Sequence, residues 1–131
     1  RRSQQFYDMQ RLLEYLGKNF TESITLKMAA DFLGLSECHF SRVFKQAMGI
    51  SFVTYLNMLR IEYSAKLIKT QKDTILDVAL LSGFNNIRTF NRVFKEMTGY
   101  APSKFSLLTD LILWELRIYI RHQINFLWKM I

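Results

Sequence analysis

Phe40-Ser41-Arg42-Val43-Phe44-Lys45, with Gly49 four residues on, and Phe90-Asn91-Arg92-Val93-Phe94-Lys95, with Gly99 four residues on, are two renderings of one pattern. The offset is 50 residues throughout the block, so one supersecondary unit has been built twice. Each copy sets aromatic residues beside an Arg and a Lys on an expected helix. Two copies imply two equivalent surfaces, suited to gripping an acidic polymer at two places.

Working outward, breakers are scarce: one Pro and five Gly in 131 residues, with apolar residues recurring at i, i+3 and i+4. The chain reads as all-α. A first helix is expected over roughly residues 4–18, with Phe6, Met9, Leu12, Leu13 and Leu16 on one side. A second begins near Thr25, carries Met28, Ala29, Phe32 and Leu33, and breaks at Gly34. The third starts behind Ser36, a good N-cap, and runs to Met48 with Gly49 as its stop.

Between Ala30 and Gly34 a small residue is followed four places later by Gly, then by a polar-capped helix with basic residues. That is the helix-turn-helix pattern: the small residue lets two helices cross closely, and Gly accepts a turn with φ > 0. Ala79 and Gly83 repeat the spacing, with Asn85 or Asn86 as cap and a helix to about Met97. One such pair is weak evidence. Two in front of the same downstream block are strong.

Residues 51–68 contain neither Gly nor Pro. Phe52, Leu56, Ile61, Leu67 and Ile68 are available to pack, and Arg60, Glu62, Lys66 and Lys69 to face water. The expected helix spans roughly 27 Å and acts as a spacer, able to hold two recognition helices about 34 Å apart, one turn of B-DNA.

A chain of 131 residues with a repeat near 50 favours two compact lobes, and half the residues are hydrophobic. A formal charge of +7 and a pI near 9.7 attract nucleic acid or anionic lipid without choosing between them. The single Cys38 excludes an internal disulfide and points to a reducing compartment. His39 has no second His, Cys or Asp at ligand spacing, so no metal is expected, and no cofactor motif is present. No phosphate loop or Ser/His/Asp set emerges, which argues against an enzyme. There is no secretory signal, and a start at Arg1 suggests a piece of something longer or a processed product.

Ile75, Val78, Ala79, Gly83, Phe84, Phe90, Arg92, Phe94, Lys95, Gly99, Pro102 and Phe105 resemble the signature of the AraC/XylS family of bacterial transcription regulators. Leu56, Arg60, Ile61, Leu67 and Ile68 look like that family's linker helix, and the resemblance covers roughly residues 10–105. It implies two homeodomain-like helix-turn-helix lobes: an N-terminal helix and first lobe over 1–50, a linker over 51–69 and a second lobe over 70–105. It further implies double-stranded DNA as partner, RNA polymerase recruited (as by an activator) or blocked at the promoter, a cytoplasmic, nucleoid-associated location and a sensor domain N-terminal to such a region. Asn86 stands where the family commonly has Asp, Arg88 where Ser is usual, and Ser106 where a basic residue often follows the Phe. The second recognition helix is thereby more basic than usual.

Carried over position by position, the base-facing candidates are Glu37, Cys38, Ser41 and Arg42 in the first lobe and Ile87, Arg88, Asn91 and Arg92 in the second. Geometry agrees, because Cys38, Ser41, Arg42 and Lys45 share one helix face at i, i+3, i+4, i+7, as do Arg88, Asn91, Arg92 and Lys95. Arg can pair two donors with guanine, and Asn can pair with adenine, each worth about 1–3 kcal/mol of discrimination. For Arg42 and Arg92 a phosphate contact or a bond within the lobe is equally open. Lys45 and Lys95 read as phosphate clamps or solvated lysines. Phe40, Phe44, Phe84, Phe90, Phe94 and Phe105 read as core rather than as base-stacking platforms.

Residues 106–131 lie outside the resemblance. Leu111, Ile112, Leu113, Trp114, Leu116, Ile118, Tyr119 and Ile120 are apolar, but Asp110, Glu115, Arg117, Arg121, His122 and Lys129 interrupt them before a membrane span of roughly 18 residues is reached. A packed or self-associating helix is expected there. The rival reading of the whole chain is a basic helical protein-interaction module, membrane-associated through this segment.

Overall fold

A computed structural model describes residues 2–70 and 73–107. Among them the chain forms α1 (Arg2–Asn19), α2 (Leu26–Phe32), α3 (Glu37–Met48), α4 (Phe52–Thr70), α5 (Ile75–Leu81), α6 (Ile87–Thr98) and α7 (Pro102–Phe105), with no strand. The all-α expectation and its two helix-turn-helix units hold. The expectation for residues 106–131 falls, beyond Leu107, outside the described residues.

The apolar side chains gather into two cores. Met9, Leu12, Leu13 and Leu16 of α1, Ala29 and Ala30 of α2, Phe40, Phe44 and Met48 of α3, and Phe52, Tyr55 and Leu56 of α4 form the first. Ile61, Ala65 and Leu67 of α4, Val78 and Ala79 of α5, Phe84, Phe90, Val93 and Phe94, and Phe105 of α7 form the second. The six phenylalanines read as core are all buried.

The repeat runs further than the block that reveals it. Phe44 meets Tyr55 edge-on at 5.7 Å, and 50 residues later Phe94 meets Phe105 edge-on at 5.2 Å. Such pairs contribute about 0.5–1.5 kcal/mol each beyond the area they bury. The first turns of α4 are thus the counterpart of α7. Its C-terminal half then walls the second core, so α4 closes one lobe and opens the next. Its buried residues accordingly lie on several sides of the helix rather than along one stripe.

Local chemistry sets the helix ends. Ser36 Oγ accepts from the His39 N–H at 3.2 Å, and Asn86 Oδ1 accepts from the Thr89 N–H at 2.8 Å, so Asn86 and not Asn85 is the cap. Gly49 and Gly99 take φ of 79° and 84°, and their N–H groups close on Lys45 O and Lys95 O at 2.8 Å. Asn85 is an insertion: the Leu35 and Phe84 N–H groups bond Ala30 O and Ala79 O alike, but the second turn then takes one residue more to reach its cap.

Two expectations change, and two apolar side chains of α2 turn outward. Arg60 does not face water; it is half-buried between the lobes, because backbone carbonyls of the α1–α2 loop draw it inward. On α1, Phe6 is exposed while Met9, Leu12, Leu13 and Leu16 are buried. Met28 and Phe32 are exposed too, since the tight crossing of α2 is made by Ala29 and Ala30.

Candidate nucleic-acid interface

Each recognition helix is seated by its aromatic face, which decides what the other face can do. Phe40 and Phe44 of α3, and Phe90 and Phe94 of α6, are wholly buried. The 3.6-residue period then turns Cys38, Ser41, Arg42 and Lys45, and Arg88, Asn91, Arg92 and Lys95, outward. All eight are exposed, as are Glu37 and Ile87 in the first turns.

The structure brings part of each set together. Ser41, Arg42 and Lys45 line a shallow groove with Gln46. Asn91, Arg92 and Lys95 line a second with Ile75, Ala101, Pro102 and Ser103. Glu37, Cys38, Ile87 and Arg88 sit apart from these grooves, in the first turn of each helix. Sequence reasoning missed Gln46 and Ser103; the signal for Gln46 was its place beside Lys45, whereas Ser103 reaches the groove only because α7 packs against α6.

Electrostatics separates the two faces. Helix α3 carries Arg42 and Lys45 with Glu37 in its first turn; α6 carries Arg88, Arg92 and Lys95 with no acidic residue there. Glu37 also suits its helix N-terminus, where a carboxylate is favoured by the peptide dipoles. The Arg42 side chain has no hydrogen bond or ion pair among the described residues, and it lines the groove of α3 instead. Arg92 Nη1 lies 3.3 Å from Glu96 Oε1, one turn on, with both side chains 61% exposed. An exposed pair of this kind contributes little and can be exchanged for a phosphate or base. The His39 ring makes no hydrogen bond among the described residues; only its backbone N–H is engaged, by Ser36.

Two further features are absent among the described residues. No three His, Cys, Asp or Glu side chains lie where they could share a metal ion. No helix is long and apolar enough to cross a membrane.

Comparison with known proteins locates this geometry. Residues 29–107 match the family model described as a helix-turn-helix domain. A Bacillus subtilis protein named as the bifunctional transcriptional activator/DNA repair enzyme AdaA is 38% identical over 101 residues, covering 76% of this chain and 47% of its own length. An uncharacterised HTH-type transcriptional regulator of Staphylococcus aureus is 36% identical over 96 residues, 72% of this chain and 13% of its own length. The chain therefore spans less than half of these curated relatives. Among solved structures, the C-terminal domain of AraT, a response regulator from Geobacillus stearothermophilus, superposes with a TM-score of 0.70 and 31% identity, over 76% of this chain and 83% of that one. The DNA-binding domain of AdpA, solved in complex with a target DNA, superposes equally well at 0.70 over 75% of this chain and 88% of that one; at 18% identity the likeness is one of fold.

Proposed function

Given that the chain belongs to the AraC/XylS family of helix-turn-helix transcription regulators, we propose that it reads a promoter by laying α3 and α6 into successive major grooves on one face of the duplex. The observation that carries this reading is the pair of outward faces in the same register, each on a helix pinned by two buried phenylalanines and both mounted on α4. At 19 residues α4 is about 28 Å long, close to the roughly 34 Å between equivalent grooves. The AdpA domain, alike in fold, was solved on its target DNA.

The division of labour follows from side-chain chemistry. Arg88, Asn91 and Arg92 carry forked donors and amides that pair with guanine and adenine edges. Glu37, Cys38, Ser41, Arg42 and Ile87 supply the remaining base-facing contacts, while Lys45 and Lys95 clamp phosphates. The second lobe discriminates and the first mainly holds register. RNA polymerase is the second partner, with activation as the outcome, in keeping with the activator named among the relatives; the setting is the bacterial cytoplasm, on the nucleoid. The repair activity in that relative's name is not carried over. Self-association through residues 106–131 is a further partner proposal, independent of the duplex reading.

Selection from random duplexes by the purified chain tests the core of this. The expected motif is bipartite, with half-site centres about 10–10.5 base pairs apart and affinity falling steeply with salt as counterions are released. A single undivided motif, or binding indifferent to sequence, rejects the two-groove arrangement.

A further inference from the structure

The lobes meet at a joint that α4 alone does not make. Arg60 sits on α4 at the handover between cores, after Leu56 of the first and before Ile61 of the second. Its Nε donates to Phe20 O at 2.7 Å and its Nη2 to Glu22 O at 2.8 Å, both carbonyls of the α1–α2 loop in the first lobe. The guanidinium carbon lies 5.9 Å from the centre of the Phe84 ring, in the second lobe's turn.

Gly83 in that same turn approaches so closely that a Cβ there would stand 2.8 Å from Arg60 Nε and 2.9 Å from Phe20 O. Phe20 in turn meets Tyr63 of α4 edge-on at 5.6 Å. One cation thus ties a first-lobe loop, the shared helix and the turn leading into α6. Burial works against its charge, lowering its pKa, and two charge-assisted hydrogen bonds with a ring face offset that cost.

We propose that Arg60 is a positioning residue that fixes the angle between α3 and α6, and through it the half-site spacing the chain accepts. A helix passing between two bodies sets their separation, but side-chain packing alone leaves twist and bend soft. A planar fork bonded to two carbonyls selects one geometry, and a lysine ammonium cannot reproduce the fork. The spacing consequence rests on the duplex reading above; the fixed angle does not.

Cys38 is exposed and is the chain's single cysteine, so Cys38 with Lys104→Cys on α7 places one spin label in each lobe. Pulsed dipolar spectroscopy on the full chain should give a narrow distance distribution with Arg60, a broad one with Arg60→Gln and an intermediate one with Arg60→Lys. Equal widths in all three overturn the proposal. On unlabelled chain, inserting two base pairs between selected half-sites should cost the parent about 100-fold, the loss of one half-site's contacts, and Arg60→Gln less than about tenfold. A variant that is merely destabilised would weaken both duplexes by one factor, which also overturns it. Broadened distances without any duplex preference leave the joint standing and reject the DNA reading. Should Arg60→Gln fail to fold by circular dichroism, Arg60→Lys carries the same comparison, because it keeps the charge and lacks the fork.

Discussion

Gly34 and Gly83 hold the same place in the two turns, at φ of 68° and 102°, yet a Cβ on Gly34 would meet nothing within 4 Å while one on Gly83 would strike Arg60 and the backbone of the other lobe. The same duplicated motif has therefore acquired two duties. In the first lobe the turn only reverses the chain. In the second it is also half of the contact between lobes, and the inserted Asn85 shows that the copies have diverged there. Equivalent residues in a repeat need not face equivalent surroundings.

The sharpest way to break that comparison is to add one methyl to each turn. Gly83→Ala should cost about 3 kcal/mol or more, combining backbone strain with overpacking, whereas Gly34→Ala should cost about 1–2 kcal/mol from the left-handed backbone alone. Urea unfolding measures both, and equal losses would deny the tight contact at Gly83.

Tyr55 and Phe105 are counterparts, and only one of them titrates. Burial pushes the Tyr55 phenol up to about 12 from its ordinary 10. A raised folded-state value means its contribution is intact below pH 10 and is lost as pH rises from 10 towards 12. About 2–3 kcal/mol is at stake across that window. Urea midpoints from pH 9 to 12 should fall more for the parent than for Tyr55→Phe, and parallel curves would contradict this.

At the interface, Arg88 and Cys38 are counterparts 50 residues apart. Arg88→Ala should weaken duplex binding by about 1–3 kcal/mol and relax the choice at one or two base pairs, while Cys38→Ala should change it by less than about 0.5 kcal/mol. Quantitative binding to a panel of single-base variants separates readout from a plain phosphate contact, which would weaken all targets alike.

The smallest difference concerns Ser82 and its counterpart Leu33. Ser82 is buried, and its Oγ has no hydrogen-bond partner among the described residues. Ser82→Ala should therefore stabilise the protein by up to about 1 kcal/mol, since an unsatisfied buried hydroxyl is removed. A loss in thermal melting would show that the hydroxyl is paired.

What the sequence disclosed was what short-range chemistry decides. Caps at Ser36, Gly49 and Gly99, the buried phenylalanines and the outward faces of α3 and α6 all follow from neighbours within two turns of helix. Arg60 was misread because its partners lie 38 and 40 residues away and are backbone carbonyls, which leave no trace in residue identity. The double role of α4 was hidden for a related reason. A gap-free apolar helix looks the same whether it spans open space or walls two cores, and the division shows only where Phe52, Tyr55 and Leu56 pack into one core and Ile61, Ala65 and Leu67 into the other.

Because α4 belongs to both interiors, no cut among the described residues leaves two self-sufficient halves. Grafting either lobe onto another scaffold would require carrying the entire connecting helix along and finding new cover for the hydrophobic wall left bare. Duplication here did not string two beads on a thread; it welded the rear of one to the front of the next.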